Sequence, residues 1–454
     1  MVDLRAVVAT ELDRARRRSL DLLEPLPDVD LLRQHSPIMS PLVWDLAHVG
    51  NFEELWLVRA VGGGAPIDPA LDDVYDAFRH PRPDRPSLPL LGPAAARRYV
   101  GDVRGRALDV LERVPLDGPD PDLPLLGDAF VYGMVVQHEH QHDETMLATL
   151  QLMDGDGYRP LGAALPPGPT GSAADAVAGE VLVAAGPFVM GTDDEAWAYD
   201  NERPAHVVDL DAFWIDTAPV TNRRYLAFMK DGGYADSRHW TAEGWRWRQD
   251  TGAVAPQFWH RDATGSWGRT RFGWKEPVPL DEPVQHVCFH EAEAFARWAG
   301  RRLPTEAEWE KAASWGPDGG KRRFPWGDAD PGPTTANLDA AAFRPAPAGA
   351  YPAGASPWGC SQLVGDVWEW TATDFGPYPG FRSFPYPEYS EVFFDSGYKV
   401  LRGGSWATSS RAVRTTFRNW DHPVRRQIFA GFRTAREAAA PGAAARSRQE
   451  VARP

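Results

Sequence analysis

Two histidines four residues apart carry the strongest chemical signal in this sequence. His138 and His142 stand in the phrase QHEHQHDETML, residues 137–147. On a helix, side chains at that spacing project from one face with Cβ atoms roughly 5–6 Å apart, close enough to share one metal ion. His140 lies about 200° around the helix from His138, so we expect it to point elsewhere. The spacing favours a metal-binding pair, and the alternative is a solvated helix face.

A third ligand must come from another helix, and the phrase DLAHVGNFEELW offers His48. We predict that Trp44, Phe52 and Leu55 mark the buried side of that helix, with His48 near it. Bundles build metal sites from ligands on facing helices. Three neutral imidazoles leave positions on the ion free for other ligands, and by ligand type alone zinc fits as well as iron. We expect neighbouring carboxylates to orient the imidazoles, namely Glu139, Asp143 and Glu144.

Helical periodicity places these histidines in the first part of the chain. Apolar residues recur at three- and four-residue spacing in residues 3–24, 41–61, 93–113 and 127–153. Four such helices predict an antiparallel bundle, which we assign to residues 1–164. We expect Ser40 to cap the second helix and Pro41 to be its first residue, where a missing N–H is harmless. Residues 165–180 are rich in Pro, Gly and Ala and are predicted to be a linker.

The chain changes character after Glu180. All but two of the 19 tryptophans lie there, among short strand-like runs and frequent Gly and Pro turns. We predict an irregular α+β domain over residues 181–436, with helices at 290–299 and 305–314. Thr305 and Glu308 make a capping box at the second of these helices. Residues 437–454 lack aromatic side chains and are predicted to be a disordered tail.

The overall composition limits the classes of partner. The formal net charge is −15 and the pI is about 5.3, whereas nucleic acids and anionic membranes demand a basic surface. We find no run long enough for a signal peptide or a membrane span, so we expect a cytoplasmic protein, and the acidic charge favours a separate, monomeric molecule. With only Cys288 and Cys360 present, a disulfide framework and a cysteine-built zinc module are excluded. All but five of the 48 basic residues are arginine, so a lone arginine says little.

Five phrases in the second half carry a family resemblance. They are LPTEAEWEKAA (303–313), PWGD (325–328), GDVWEWT (365–371), LRGGSW (401–406) and AGFR (430–433). In this order they resemble the formylglycine-generating-enzyme, or sulfatase-modifying-factor, fold, a relative of C-type lectins. The first half resembles a DinB-like bundle, and the pair is similar to the ergothioneine-pathway sulfoxide synthases, the hercynine oxygenase family. The implied fold class is α+β, with a four-helix DinB-like bundle followed by a C-type-lectin-like domain.

That resemblance implies an activity and a cofactor. Enzymes of this family are non-haem iron(II) proteins that use O₂ to join the imidazole C2 of hercynine (trimethylhistidine) to the thiol of γ-glutamylcysteine, or of cysteine, with oxidation of the sulfur. His48, His138 and His142 match the family's iron ligands. The sequence leaves the choice between the two thiols open.

The resemblance also implies substrate-binding residues. Gln141 would contact hercynine, and Asn419 and Trp420 would receive its trimethylammonium and carboxylate groups, since an aromatic face suits a quaternary ammonium. Asp421 would pair with the glutamyl amine. Arg82 and Arg85 resemble the basic pair that binds the carboxylates of γ-glutamylcysteine.

An active-site tyrosine is a further expectation from the family. In the loop TDFGPYPGFRSFPYPEYSEVFF we favour Tyr378 as the catalytic residue, and Tyr386 and Tyr389 compete with it.

Three other classes of protein are alternatives to this hypothesis. A formylglycine-type copper oxidase requires two cysteines beyond the GGS phrase, where this chain has Thr408 and Val413, so that mechanism is excluded. A zinc-dependent DinB-like hydrolase or thiol transferase would use the same three histidines to activate water or a thiol. A non-catalytic binding protein with the lectin-like fold would keep its ligand affinity without them.

Overall fold

Helices dominate the first 152 residues of the computed structural model, which describes residues 3–116, 123–155, 158–170 and 178–438. The α-helices of this part are α1 Leu4–Leu23, α2 Asp28–Leu32, α3 Leu42–Glu53, α4 Leu71–Val74, α5 Pro93–Leu111 and α6 Phe130–Leu152. α3 continues without a break as a π-helix over Glu54–Val61. The four segments predicted as helices are thus α1, α3 with its π-helical extension, α5 and α6.

The start of α3 differs from its prediction. Its first residue is Leu42 and Pro41 is the N-cap, while Ser40 makes no capping bond. The Ser40 hydroxyl instead accepts a hydrogen bond from Arg85 Nη1 at 2.6 Å. Leu55 was also placed wrongly: it lies at the start of the π-helical stretch, where the pitch changes, and is 40% exposed.

The bundle brings the two histidine-bearing helices together. α1 packs along α6, and α3 packs against both α5 and α6. Apolar side chains such as Val8, Leu12 and Leu23 on α1 are fully buried at helical spacing. Because burial of these faces fixes which sides of the helices meet, it sets α3 beside the His138–His142 face of α6.

Among the described residues, the second part of the chain contains short strands and four α-helices. The helices are α7 Asn222–Lys230, α8 Ala242–Thr251, α9 Phe289–Trp298 and α10 Glu306–Ser314. The strands are β1 Glu180–Val183, β2 Gly186–Met190, β3 His206–Leu210, β4 Phe213–Asp216, β5 Trp259–Arg261, β6 Trp267–Arg271, β7 Trp274–Pro277, β8 Trp368–Asp374, β9 Lys399–Arg402, β10 Asn419–Asp421, β11 Ala430–Gly431 and β12 Ala435–Glu437. They form sheets in the orders β1-β4-β12, β10-β9-β8-β11, β2-β3 and β5-β6-β7. The predicted α+β class is confirmed.

The four-stranded sheet positions the predicted substrate residues. β10 is its edge strand, and the antiparallel register pairs Asn419 with Leu401. α10 packs on β8 and β9 behind that edge. At the start of α10 the predicted capping box of Thr305 and Glu308 is present.

Two predicted boundaries fall partly outside the described residues. Within the predicted linker 165–180, residues 171–177 are not described, and β1 begins at Glu180. Glu437 of the predicted tail belongs to β12, whereas residues 439–454 lie outside the described part. Among the described residues, every helix is too short or too polar to cross a membrane.

Candidate active site

Three imidazoles converge between α3 and α6. His48 comes from α3, and His138 and His142 come from α6. One ring nitrogen of each lies within 4.8 Å of the others. The ring centroids of His48 and His142 are 4.7 Å apart, as are those of His138 and His142. The predicted spacing rule therefore holds, and the three donors can bind a single ion.

Two of the imidazoles are held by groups that leave the other ring nitrogen free. His48 Nδ1 lies 2.7 Å from the Tyr75 carbonyl oxygen, so it must donate its proton there. His142 Nδ1 lies 3.0 Å from Asp45 Oδ1. With Nδ1 protonated in both rings, each Nε2 presents a lone pair.

The third imidazole is held by packing. The ring of Phe52 stacks on that of His138 with centroids 3.8 Å apart. His138 Nδ1 is buried without a hydrogen-bond partner among the described residues. Burial lowers the pKa of His48 and His138 well below the usual value, so both imidazoles stay neutral. A set of three imidazoles with an orphaned ring nitrogen fits a divalent transition metal ion.

The three carboxylates that we expected to orient these rings bind other partners. Glu139 pairs with Arg16 at 2.7 Å. Asp143 Oδ2 lies 3.0 Å from His140 Nδ1, and His140 lines the cavity rather than joining the three converging histidines, as expected from its place on the helix. Glu144 bonds to the C-terminal domain. Among the described residues, none of the three bonds to His48, His138 or His142, so our assignment of them as orienting groups was wrong.

A cavity of about 560 Å³ lies between the bundle and the C-terminal domain. It is lined by Gln141 of α6, by the loop before α5 and by β10 with the residues after it. Six predicted substrate residues line it together: Arg82, Arg85, Gln141, Asn419, Trp420 and Asp421. Because the walls come from both halves of the chain, the cavity exists only when the domains are docked.

The wall formed by β10 combines an aromatic plane with an acid. The Trp420 ring stacks on Phe375 with centroids 4.1 Å apart, which holds its plane fixed. Asp421 Oδ1 accepts the His422 backbone N–H at 2.7 Å and lies 3.6 Å from Arg425 Nε. Burial raises the pKa of Asp421 above its usual value, although Arg425 opposes the shift.

The opposite wall carries the two predicted arginines. The Arg85 guanidinium lies over the Trp44 ring, 3.6 Å from its centroid, and donates to the Ala77 and His80 carbonyls. Arg82 Nη1 donates to a backbone carbonyl at 2.9 Å. Burial lowers the pKa of Arg85 to about 10, which leaves it charged at neutral pH. Both guanidinium groups are therefore fixed in place before any ligand binds.

The tyrosine prediction is not met. Tyr378 packs in a separate apolar cluster with Phe188 and Met190, and its hydroxyl lies 3.4 Å from Glu306. None of Tyr378, Tyr386 and Tyr389 lines the cavity, and within the described part of the chain no ring or hydrogen-bond contact connects Tyr378 to the residues around the triad. Long-range packing of its loop, not its motif, decides this position.

The two competing tyrosines lie near the triad instead. Tyr386 packs on Trp56 with centroids 5.2 Å apart and on Phe52, the residue that stacks on His138. Gln141 Nε2 donates to the Tyr389 hydroxyl at 3.2 Å. Burial raises the pKa of both tyrosines well above the usual value, so both stay protonated.

Two charged residues line the cavity that the sequence did not predict to be there, Glu144 and Arg425. Glu144 Oε1 accepts from Trp368 Nε1 at 2.8 Å and from Ser405 at 2.7 Å, and Oε2 accepts from Thr408 at 2.7 Å. Burial raises its pKa, and these three donors oppose the rise. Helical spacing from Gln141 could have found Glu144, because positions three apart share a face.

Comparison with known proteins identifies the relatives of this chain. The sulfatase-modifying factor enzyme 1-like domain matches residues 168–438, and the DinB superfamily matches residues 11–146. A hercynine oxygenase of Mycolicibacterium thermoresistibile is 54% identical, with 96% of this chain and 97% of that protein covered. A hercynine oxygenase of Mycobacterium tuberculosis is 53% identical, with 94% and 98% covered. The chain belongs to the hercynine oxygenase family. A formylglycine-generating enzyme of Streptomyces coelicolor is 31% identical but covers only 61% of this chain.

In this member of the hercynine oxygenase family, charged residues of four of the five motifs form buried ion pairs within the C-terminal domain. Glu306 and Glu310 of TEAEWE bind Arg402 of LRGGSW at 2.9 and 2.6 Å, all nearly or fully buried. Glu369 of GDVWEW accepts from Arg433 of AGFR at 2.6 Å. These ion pairs fix α10 and the four-stranded sheet, and so fix β10 at the cavity.

Thr408 and Val413 stand where a formylglycine-type copper oxidase would have its cysteines, and in this member of the hercynine oxygenase family both make structural contacts. Thr408 bonds Glu144 and so joins the two domains. Val413 packs in a small apolar cluster with Phe324 and Val364. Cys288 and Cys360 are both buried and unpaired.

Proposed function

We propose that this chain is an iron(II)-dependent oxygenase that joins the imidazole C2 of hercynine to the thiol of γ-glutamylcysteine and oxidises the sulfur. In the overall reaction, one oxygen atom of O₂ enters the sulfoxide. The other leaves as water with the C2 hydrogen and the thiol hydrogen. The observation that carries the proposal is the shared helix α6, which presents His142 to the triad and the adjacent Gln141 to the cavity.

Iron(II) would be held by His48, His138 and His142, and it would supply the electron transfer to O₂ that no side chain can perform. The protein sets the geometry around that centre. Asp45 and the Tyr75 carbonyl hold two imidazoles in the tautomer that binds a metal. Three neutral ligands leave the centre cationic, which favours binding of an anionic thiolate.

The charges at one end of the cavity support γ-glutamylcysteine as the thiol substrate. That dipeptide carries two carboxylates and one ammonium group. Arg82, Arg85 and Arg425 supply positive charge, and Asp421 supplies one negative charge. Guanidinium groups bind carboxylates with two parallel hydrogen bonds, which fixes orientation as well as position. Free cysteine would leave part of this charge set unmatched.

Hercynine fits the aromatic part of the same cavity. Trp368, Phe417 and Trp420 line it, and Glu144 adds a buried carboxylate. Glu144 already accepts three hydrogen bonds from the protein. It would therefore attract a ligand through its negative charge rather than by accepting a further hydrogen bond. A quaternary ammonium, which has no N–H to donate, matches that environment. Asn419 would contact the hercynine carboxylate.

Tyr386 is the proton donor in this proposal. Its hydroxyl has no hydrogen-bond partner among the described residues, whereas the Tyr389 hydroxyl is committed to Gln141. The raised pKa keeps a proton on Tyr386 at neutral pH.

The cavity walls hold both substrates close together, which removes most of the entropic cost of a reaction between two molecules.

The test uses the full chain purified without oxygen and loaded with iron(II). We expect O₂ consumption only when hercynine and a thiol are both present, and mass spectrometry should detect the sulfoxide. Parallel reactions with γ-glutamylcysteine and cysteine should favour the dipeptide. Turnover under strict anoxia, or with zinc in place of iron, would refute the proposal and favour a hydrolase or thiol transferase.

A further inference from the structure

Four charged side chains from four helices meet in the interior of the bundle. They are Arg16 on α1, Glu53 on α3, Arg104 on α5 and Glu139 on α6. We call this set the clamp. Its members are between 0% and 9% exposed, and its two cations and two anions cancel. None of the four lines the substrate cavity.

Short, directional contacts close the clamp. Arg16 Nε lies 2.7 Å from Glu139 Oε1, and its Nη2 lies 2.6 Å from Glu53 Oε2. Arg104 Nε lies 2.6 Å from Glu53 Oε1, and its Nη2 lies 3.3 Å from Glu139 Oε2. Arg16 also donates to the Val100 carbonyl at 2.6 Å. A planar guanidinium with several fixed partners resists rotation of the helices that carry those partners.

The clamp is coupled to the metal ligands through the helices themselves. On α6, Glu139 directly follows His138, so its direction from the helix axis differs by about 100°. Asp143 follows His142 in the same way, and the Ser19 hydroxyl lies 2.7 Å from Asp143 Oδ1 and 2.9 Å from Glu139 Oε1. Both ligands of α6 thus have an anchored neighbour on the adjacent helix face.

The third ligand is tied to the same cluster. Glu53 lies on α3, five residues after His48. Fixing Glu53 and Glu139 on the same two guanidinium groups sets the rotation of α6 and its longitudinal register against α3. Apolar packing alone tolerates small rotations, because dispersion contacts are not directional.

We propose that the clamp is a positioning device that sets the metal geometry by holding His48 in register with His138 and His142. The inference rests on the metal site of the proposed function. Buried ion pairs seldom add stability over apolar residues of the same size, so a role in specifying geometry accounts for this one better. The clamp residues act through the ligands and contact neither metal nor substrate.

The first test compares Glu139→Gln with Glu54→Gln, using cobalt(II) as the metal probe. Glu54 is equally buried, but its partners are Tyr99, Arg106 and the Ile67 amide, none of which lies on α6. We expect Glu139→Gln to weaken cobalt(II) binding at least tenfold and to change the visible d–d bands. Glu54→Gln should lower the melting temperature and leave affinity and bands unchanged. Unchanged binding by Glu139→Gln, or equal weakening by both variants, would overturn the proposal.

A second variant separates position from charge. Ser19→Ala removes the hydroxyl shared by Glu139 and Asp143, keeps every charge and suits a helix, so it also serves if Glu139→Gln does not fold. We expect cobalt(II) binding at least threefold weaker, with altered bands. Unchanged cobalt(II) affinity in Ser19→Ala would contradict the positioning role of the clamp. Any loss of affinity in Glu139→Gln would then come from the lost charge. If the unmodified protein binds no cobalt(II), the proposed metal site itself has failed, which is a distinct result.

Discussion

Replacing Glu144 by Gln removes one negative charge from the cavity and should keep the fold. Trp368 Nε1 and the Ser405 hydroxyl can both donate to the glutamine oxygen in place of the carboxylate. The Thr408 hydroxyl, now 2.7 Å from Oε2, can rotate to accept from the new amide. The variant therefore tests charge with little change in shape.

The expected magnitude follows from Coulomb's law. A carboxylate and a quaternary ammonium about 5 Å apart interact by about 3 kcal/mol at an effective dielectric constant of roughly 20. Solvent in the open part of the cavity reduces this to about 2–3 kcal/mol, so we expect kcat/KM for hercynine to fall roughly 30- to 150-fold.

Steady-state O₂ consumption with varied hercynine and saturating γ-glutamylcysteine measures this effect. The KM for γ-glutamylcysteine should stay unchanged, because Glu144 lies away from the arginines of the cavity in the proposed arrangement. An analogue of hercynine without its ammonium group, tested as an inhibitor, should bind wild type and Glu144→Gln equally. Equal loss of affinity for hercynine and for this neutral analogue would refute the electrostatic reasoning, as would an unchanged hercynine KM.

Three further outcomes are expected. Asp45→Ala removes the acceptor of His142 Nδ1 at 3.0 Å and should weaken metal binding by roughly 10- to 100-fold in a cobalt(II) titration, and full affinity would contradict this role. Tyr386→Phe should divert product toward oxidised thiol without the C–S bond, whereas Tyr378→Phe should keep the product ratio, and mass spectrometry showing the reverse would return the role to Tyr378. Because burial raises the pKa of Asp421, its carboxylate is protonated at a higher pH than usual, so the KM for γ-glutamylcysteine should rise as pH falls toward that range. Asp421→Asn should lack this pH dependence, and an identical profile in that variant would assign the dependence to another group.

Local spacing was enough to predict that His138 and His142 share one face of a helix. His138 and His142 share a helix face because four residues nearly complete one turn, and this needs no knowledge of the rest of the chain. The helix that carries His48 was found in the same way, from the recurrence of its apolar residues. The capping box of Thr305 and Glu308 is equally local, and all of these features are present.

The predictions for Ser40 and Tyr378 failed because both side chains are placed by contacts with residues far away in the sequence. Ser40 is drawn from its capping role by Arg85, 45 residues further along the chain. Tyr378 was favoured for its motif, yet loop packing directs it to Glu306 and brings Tyr386 toward the triad. No short pattern encodes either contact.

The amino-acid sequence alone was enough to predict the helices, the family and the three histidines that converge in the bundle. Only the tertiary structure decided which groups orient those histidines and which side chains line the cavity. Asp45 reaches His142 across 97 residues, and Glu144 meets Ser405 across 261. The physical reason is that periodicity specifies which face of an element is buried. It does not specify which distant side chain meets that face, since this depends on how all the elements pack at once.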